Sequence, residues 1–145
     1  MGWMIALISG ALMSIQGVFN TEVTKTAGIW ATNCFVQFTA LLACLVAWAF
    51  TGREKFGMLF KVDNKYMLLG GIIGACITFT VIKSMEGLGP AQAVLLIVIS
   101  QIIVAYLIEV FGLFGVEKAD FQWRKVVGAA IAIIGIIVFK WENNY

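Results

Sequence analysis

The chain has 145 residues, 61% hydrophobic and 12% charged, with no histidine, a mean hydropathy of +0.96 and a net charge of +2. A soluble domain carries roughly 25% charged residues and leaves about a third of its unfolded surface in water; ten basic and eight acidic side chains are too few to solvate that surface. This excludes a water-soluble domain, a disordered chain and a nucleic-acid binder, which needs a strongly basic face.

The charges fall in clusters that leave five charge-free windows: 2–21, 26–52, 66–82, 87–108 and 126–139. A transmembrane helix needs about 20 mostly apolar residues, so four windows qualify directly. The first predicts a span at about 3–21. It lacks the basic leader of a secretory signal, and Gln16 and Asn20 interrupt its apolar run, so it reads as a span. Ser9, Met13, Gln16 and Asn20 fall on one helical face, and Gly10, Ser14 and Gly17 form a small-residue stripe. Residues 22–25 read as a tight connection to the second span, at about 29–51, which carries Asn33 and Gln37 four residues apart.

The loop 53–65, with Arg53, Glu54, Lys55, Lys61, Asp63 and Lys65, is the longest wet segment. A third span at about 66–86 holds Gly70 and Gly74 in GxxxG spacing, with Gly71 beside them, and Lys83 and Glu86 within pairing distance near its end. Pro90 stands where a new helix would start. The fourth span, about 90–110, has Ser100 and Gln101 midway and Glu109 near its end. A loop carrying Glu117, Lys118, Asp120 and Arg124 leads to the fifth span, about 124–141. Its charge-free stretch is short, but Trp123 and Trp141 bracket it, about 27 Å apart at 1.5 Å per residue. Arg124, Lys125 and Lys140 are placed to snorkel. Gly128, Ala132 and Gly135 share one face of this span.

Continuous apolar runs at 94–98 and 131–138 exclude the alternation of a β-barrel. The expected fold is an all-α membrane protein, one integral domain over residues 1–145 with five transmembrane helices. Seven Lys and Arg (Arg53, Lys55, Lys61, Lys65, Lys118, Arg124, Lys125) lie on the side of the amino terminus and three (Lys25, Lys83, Lys140) on the other. The positive-inside rule then puts the amino terminus in the cytoplasm.

Polar side chains at membrane depth cost free energy unless paired, and usually face the bundle interior or a wet cavity. Gln16, Asn20, Asn33, Gln37 and Gln101 have two readings: hydrogen bonds between helices, or the lining of a substrate cavity. The stripes Gly70–Gly74 and Gly128–Ala132–Gly135 likewise serve packing within one chain or dimerisation. Glu109 reads as an interfacial anchor, or as an ionisable gate or ion-coupling site. With no histidine there is no Ser-His or Cys-His pair, and Cys34, Cys44 and Cys76 lack CxxC spacing. They are expected to be buried, reduced thiols. No enzyme, cofactor or metal site is expected.

The run Leu88-Gly89-Pro90-Ala91-Gln92-Ala93-Val94, followed by Ser100-Gln101 and by Glu109-Val110-Phe111-Gly112-Leu113-Phe114-Gly115, resembles the signature of the YdcZ-like family, the five-helix branch of the drug/metabolite transporter superfamily. Gln16 with Asn20, and Gly70, Gly71 with Gly74, match its first and third spans. The resemblance implies half of a ten-helix inverted-repeat transporter, completed by an antiparallel self-copy or a paralogue. It also implies export of a small molecule across the bacterial inner membrane by alternating access. The superfamily's four-helix exporters use a first-span glutamate for proton coupling; here that span offers Ser14, Gln16 and Asn20. The other functional classes are a small dimeric ion channel and a non-transporting accessory subunit.

Overall fold

A computed structural model describes residues 1–51 and 54–140. Arg53 and Trp141 lie outside the described residues. All regular structure among these residues is helical: α1 (Gly2–Ala27), α2 (Ile29–Thr51), α3 (Gly70–Leu88), α4 (Pro90–Phe111) and α5 (Trp123–Lys140), with short 3-10 turns at Phe56–Lys61, Lys65–Leu69 and Leu113–Gly115. Four segments are long and apolar enough to cross a membrane: Gly2–Ala27, Ile29–Thr51, Lys65–Leu88 and Pro90–Phe111. α5 has 18 residues and is not among the four. Arg124 and Lys125 in its first turn and Lys140 at its end shorten its apolar stretch.

Residues 22–25 are not a loop. α1 runs through them to Ala27, because a charged side chain does not end a helix, whereas Gly28 does. Gly28 takes φ 79°, ψ 157°, and its N–H donates to Thr24 O at 2.9 Å. That region of backbone space is essentially reserved for glycine. Gly89 repeats the device with φ 79°, ψ 159° and its N–H on Met85 O at 3.0 Å. Each glycine turn follows an i,i+3 ion pair, Glu22–Lys25 before one and Lys83–Glu86 (2.9 Å) before the other.

The chain divides into two units, the first Met1–Pro90 and the second beginning at Ala91. In the first, α1 packs on both α2 and α3, and α2 packs on α3. Gly17 lets α1 approach α3 closely: a Cβ there would meet Met85 Cε and Sδ and Val81 Cγ1. Cβ atoms at Gly70, Gly74, Gly128 and Gly135 would meet nothing within 4 Å, so those stripes are open on a single chain.

The interior is more polar than the outside. Among the described residues the buried ones are Gly17, the polar Asn20, Thr21, Thr24, Thr32 and Asn33, and the apolar Ile82, Met85 and Ala93. Large apolar side chains such as Trp3, Leu7, Phe19, Phe35, Phe50 and Ile72 are more than half exposed. This inverts the pattern of a water-soluble protein and is what lipid as solvent selects. Cys34, Cys44 and Cys76 follow the same rule: they are free but exposed, not buried as expected, because an apolar thiol gains nothing by leaving a lipid-facing surface.

Candidate functional site

In the first unit, Gly17, Asn20, Thr21 and Thr24 bring one face of α1 inside, and Thr32 and Asn33 do the same for the start of α2. The threonine hydroxyls satisfy themselves on their own helices. Thr21 Oγ1 donates to Gly17 O (2.8 Å), Thr24 Oγ1 to Asn20 O (2.8 Å), Thr32 Oγ1 to Gly28 O (2.9 Å) and Thr78 Oγ1 to Gly74 O (3.0 Å). Such back-bonding lets a hydroxyl lie inside a bundle without an external partner.

The amides divide by role. Asn33 Nδ2 donates to Ala75 O at 2.9 Å, fastening α2 to α3. Gln37 Nε2 donates to Thr78 Oγ1 at 3.3 Å and, at the limit of hydrogen bonding, to Asn33 Oδ1 at 3.5 Å. Trp30 and Phe79 stack across the same pair of helices, with centroids 5.1 Å apart. These two amides therefore do the bridging work that polar groups perform between membrane helices.

Asn20 differs. It is 9% exposed, and its side chain has no hydrogen-bond partner among the described residues. Among the described residues no side-chain polar atom is both sealed and unpartnered, so the Asn20 amide keeps some accessible surface. Gln16, one turn earlier, is exposed. Gln101 belongs to the second unit and is exposed as well. The structure thus brings Asn33 and Gln37 together against α3, buries Asn20 on the inner face of α1, and gives the amides of Gln16 and Gln101 no partner among the described residues.

Within the second unit, Glu109 Oε2 accepts from Lys125 Nζ, joining the end of α4 to the first turn of α5. Lys125 also sits 5.4 Å above the Tyr106 ring, and the Tyr106 hydroxyl accepts from Gln122 N (2.8 Å) and donates to Gln122 O (3.2 Å). The glycines of the Gly-Leu-Phe-Gly run enable this return: Gly112 is left-handed (φ 63°), and Ala119 N–H reaches back to Glu109 O at 2.9 Å. Sequence reasoning missed Lys125 as the partner of Glu109 and the threonine set of α1 to α3. Opposite charges at facing helix ends were the available signal for the first; threonine is too common in membrane helices to signal the second. No group of three or more Cys, Asp or Glu among the described residues is placed to hold a metal ion.

The model of the family described as "Putative inner membrane exporter, YdcZ" matches residues 1–138. The chain belongs to the YdcZ family. Inner membrane protein YdcZ of Escherichia coli (strain K12) is similar to it, 22% identical over 133 residues that cover 89% of this chain and 87% of that protein. No solved structure matches. A member of this family with four helices of spanning length is a multi-pass inner-membrane protein, and the family's description points to transport rather than catalysis.

Proposed function

We propose that this chain is one half of a secondary transporter that exports a small polar or weakly charged molecule across the inner membrane by alternating access. α5 is the fifth span: its 18 residues rise about 27 Å at 1.5 Å each, close to the roughly 30 Å hydrocarbon core once flanking basic side chains snorkel. The amino terminus lies in the cytoplasm. Two such chains, an antiparallel pair of self-copies or a pair of paralogues, enclose a midplane cavity.

The observation that carries this reading is Asn20, 9% exposed on the inner face of α1, whose amide has no hydrogen-bond partner among the described residues. Its amide atoms are not sealed, so they are reachable, and a hydrogen-bonding substrate gives them the partner that the bundle does not. Gln16 and Gln101 support the dimer by the same logic. Exposed amides within spans are expensive against acyl chains, so a second subunit covers them and leaves them facing substrate. The open stripe Gly70–Gly74 gives that subunit a close-approach surface. Glu109, tied to Lys125, acts as a gate between α4 and α5. A thermal-stability screen of small polar metabolites against the purified protein tests the site. A compound that stabilises the wild type and loses its effect on Asn20→Ala supports the reading; one whose effect survives Asn20→Ala, Gln16→Ala and Gln101→Ala opposes it.

A further inference from the structure

α4 and α5 do not close on each other along their length. A cavity of about 550 Å³ separates them, walled by Ile102, Leu107, Val126, Gly128 and Ala129, with Glu109 and Lys125 at one end. Further along, the groove narrows where Ile99 and Ile102 face Ala129 and Ala132. The small residues of α5 make the groove deep: a Cβ at Gly128 would touch nothing within 4 Å. From Glu109 to Ile99 the floor follows α4 for ten residues, about 15 Å at 1.5 Å per residue.

We propose that this groove holds one acyl chain of a glycerophospholipid, with its phosphodiester against Arg124 and Lys125. The inference rests on α5 being a span. Apart from the Glu109–Lys125 pair at its end, the lining offers a polar solute little to bond, since its one hydroxyl, on Tyr106, is already bonded to both backbone groups of Gln122. Hydrocarbon fits such walls without desolvation cost. The charged end is complementary to a single phosphodiester. Glu109 neutralises one of the two adjacent cations, which leaves one net positive charge for one negative headgroup. Arg124 has no ion pair or hydrogen bond among the described residues, and Lys125 is 43% exposed and reachable from the membrane surface. Trp123, 72% exposed beside them, belongs to the aromatic belt at headgroup depth. Cations between helices near the membrane surface recognise lipid headgroups, each worth about fivefold in binding.

Native mass spectrometry of the detergent-purified full chain, titrated with dioleoylphosphatidylglycerol, tests this. The controls are the matching diacylglycerol, which lacks phosphate, and inorganic phosphate, which lacks the chains. One phosphatidylglycerol retained per chain is expected, with diacylglycerol weaker and inorganic phosphate unable to displace it. The Arg124→Gln/Lys125→Gln double variant should bind about 25-fold more weakly, the product of roughly fivefold per cation. Ala129→Trp, which fills the groove, should retain neither lipid. Glu109→Gln, which frees Lys125, should bind about fivefold more tightly, so the test survives if the double variant does not fold. Equal retention by wild type and variants, equal affinity for diacylglycerol, or displacement by inorganic phosphate overturns the proposal. So does a crosslink between copies from Ala129→Cys, which would make a second chain the occupant. Labelling of Ile131→Cys by a membrane-impermeant maleimide would show instead that α5 is not a span. Protection of that site with lipid retention unchanged in the variants rejects the groove alone.

Discussion

Asn33 and Asn20 lie on the same polar interior but should respond oppositely to truncation. Asn33→Ala removes the 2.9 Å bond from Nδ2 to Ala75 O and the weak 3.5 Å contact from Gln37, while Gln37 keeps Thr78 at 3.3 Å. Ala75 O sits in the middle of α3 and retains its helical partner, so no buried carbonyl is orphaned. The loss is then that of one interhelical bond in a bilayer, about 0.6 kcal/mol on average and about 1.7 at most, or about a 3- to 18-fold shift in the unfolding equilibrium. Asn20→Ala breaks no side-chain hydrogen bond and should stay within about 0.5 kcal/mol of wild type. If that amide meets the substrate, removing one hydrogen bond of about 1.4 kcal/mol lowers apparent affinity about tenfold. Reversible unfolding in mixed micelles, paired with ligand stabilisation on the same samples, measures both quantities. If Asn20→Ala destabilises the fold more than Asn33→Ala does, the assignment of one amide to structure and the other to substrate is wrong.

The remaining expectations concern turns, packing and orientation. Gly28→Ala and Gly89→Ala place a Cβ where φ is 79° and should each cost about 1–3 kcal/mol, read as a lowered unfolding midpoint in detergent. Gly17→Val drives side-chain atoms against Met85 and Val81 and should cost about 1–3 kcal/mol by overpacking; Gly74→Ala, where a Cβ meets nothing within 4 Å, should leave the isolated chain's midpoint nearly unchanged and weaken self-association. A cysteine at Asn64 in a cysteine-free background should label from the cytoplasmic side alone, and labelling from both faces would replace fixed topology with dual topology.

Much of the helical layout is legible from charge and turn chemistry. The expected ranges 29–51 and 90–110 fall on α2 (Ile29–Thr51) and α4 (Pro90–Phe111), because Gly28 and Pro90 mark their starts. Charge-free windows locate apolar length but not helix ends, which is why α1 passes through Glu22 and Lys25 to Gly28. The third window opens with a 3-10 turn, Lys65–Leu69, before α3 begins at Gly70; the glycine-rich sequence there carries no cap to signal the change. Residue type alone did not separate the amides. Asn33 and Gln37 are spaced like a substrate-binding pair, yet the Ala75 carbonyl and the Thr78 hydroxyl occupy both. A backbone carbonyl is present at every position and leaves no mark in sequence. Asn20 has no side-chain partner among the described residues, its neighbours Thr21 and Thr24 being bonded within their own helix.

Transport by reconstituted protein bears most directly on this account. With the compound that stabilises the purified protein loaded into proteoliposomes, efflux should saturate with concentration and accelerate when the same compound is present outside. It should fall at least about tenfold in Asn20→Ala protein that folds normally. Efflux that rises linearly without exchange, or that is untouched by Asn20→Ala, Gln16→Ala and Gln101→Ala alike, would contradict a carrier whose interior amides hold its cargo.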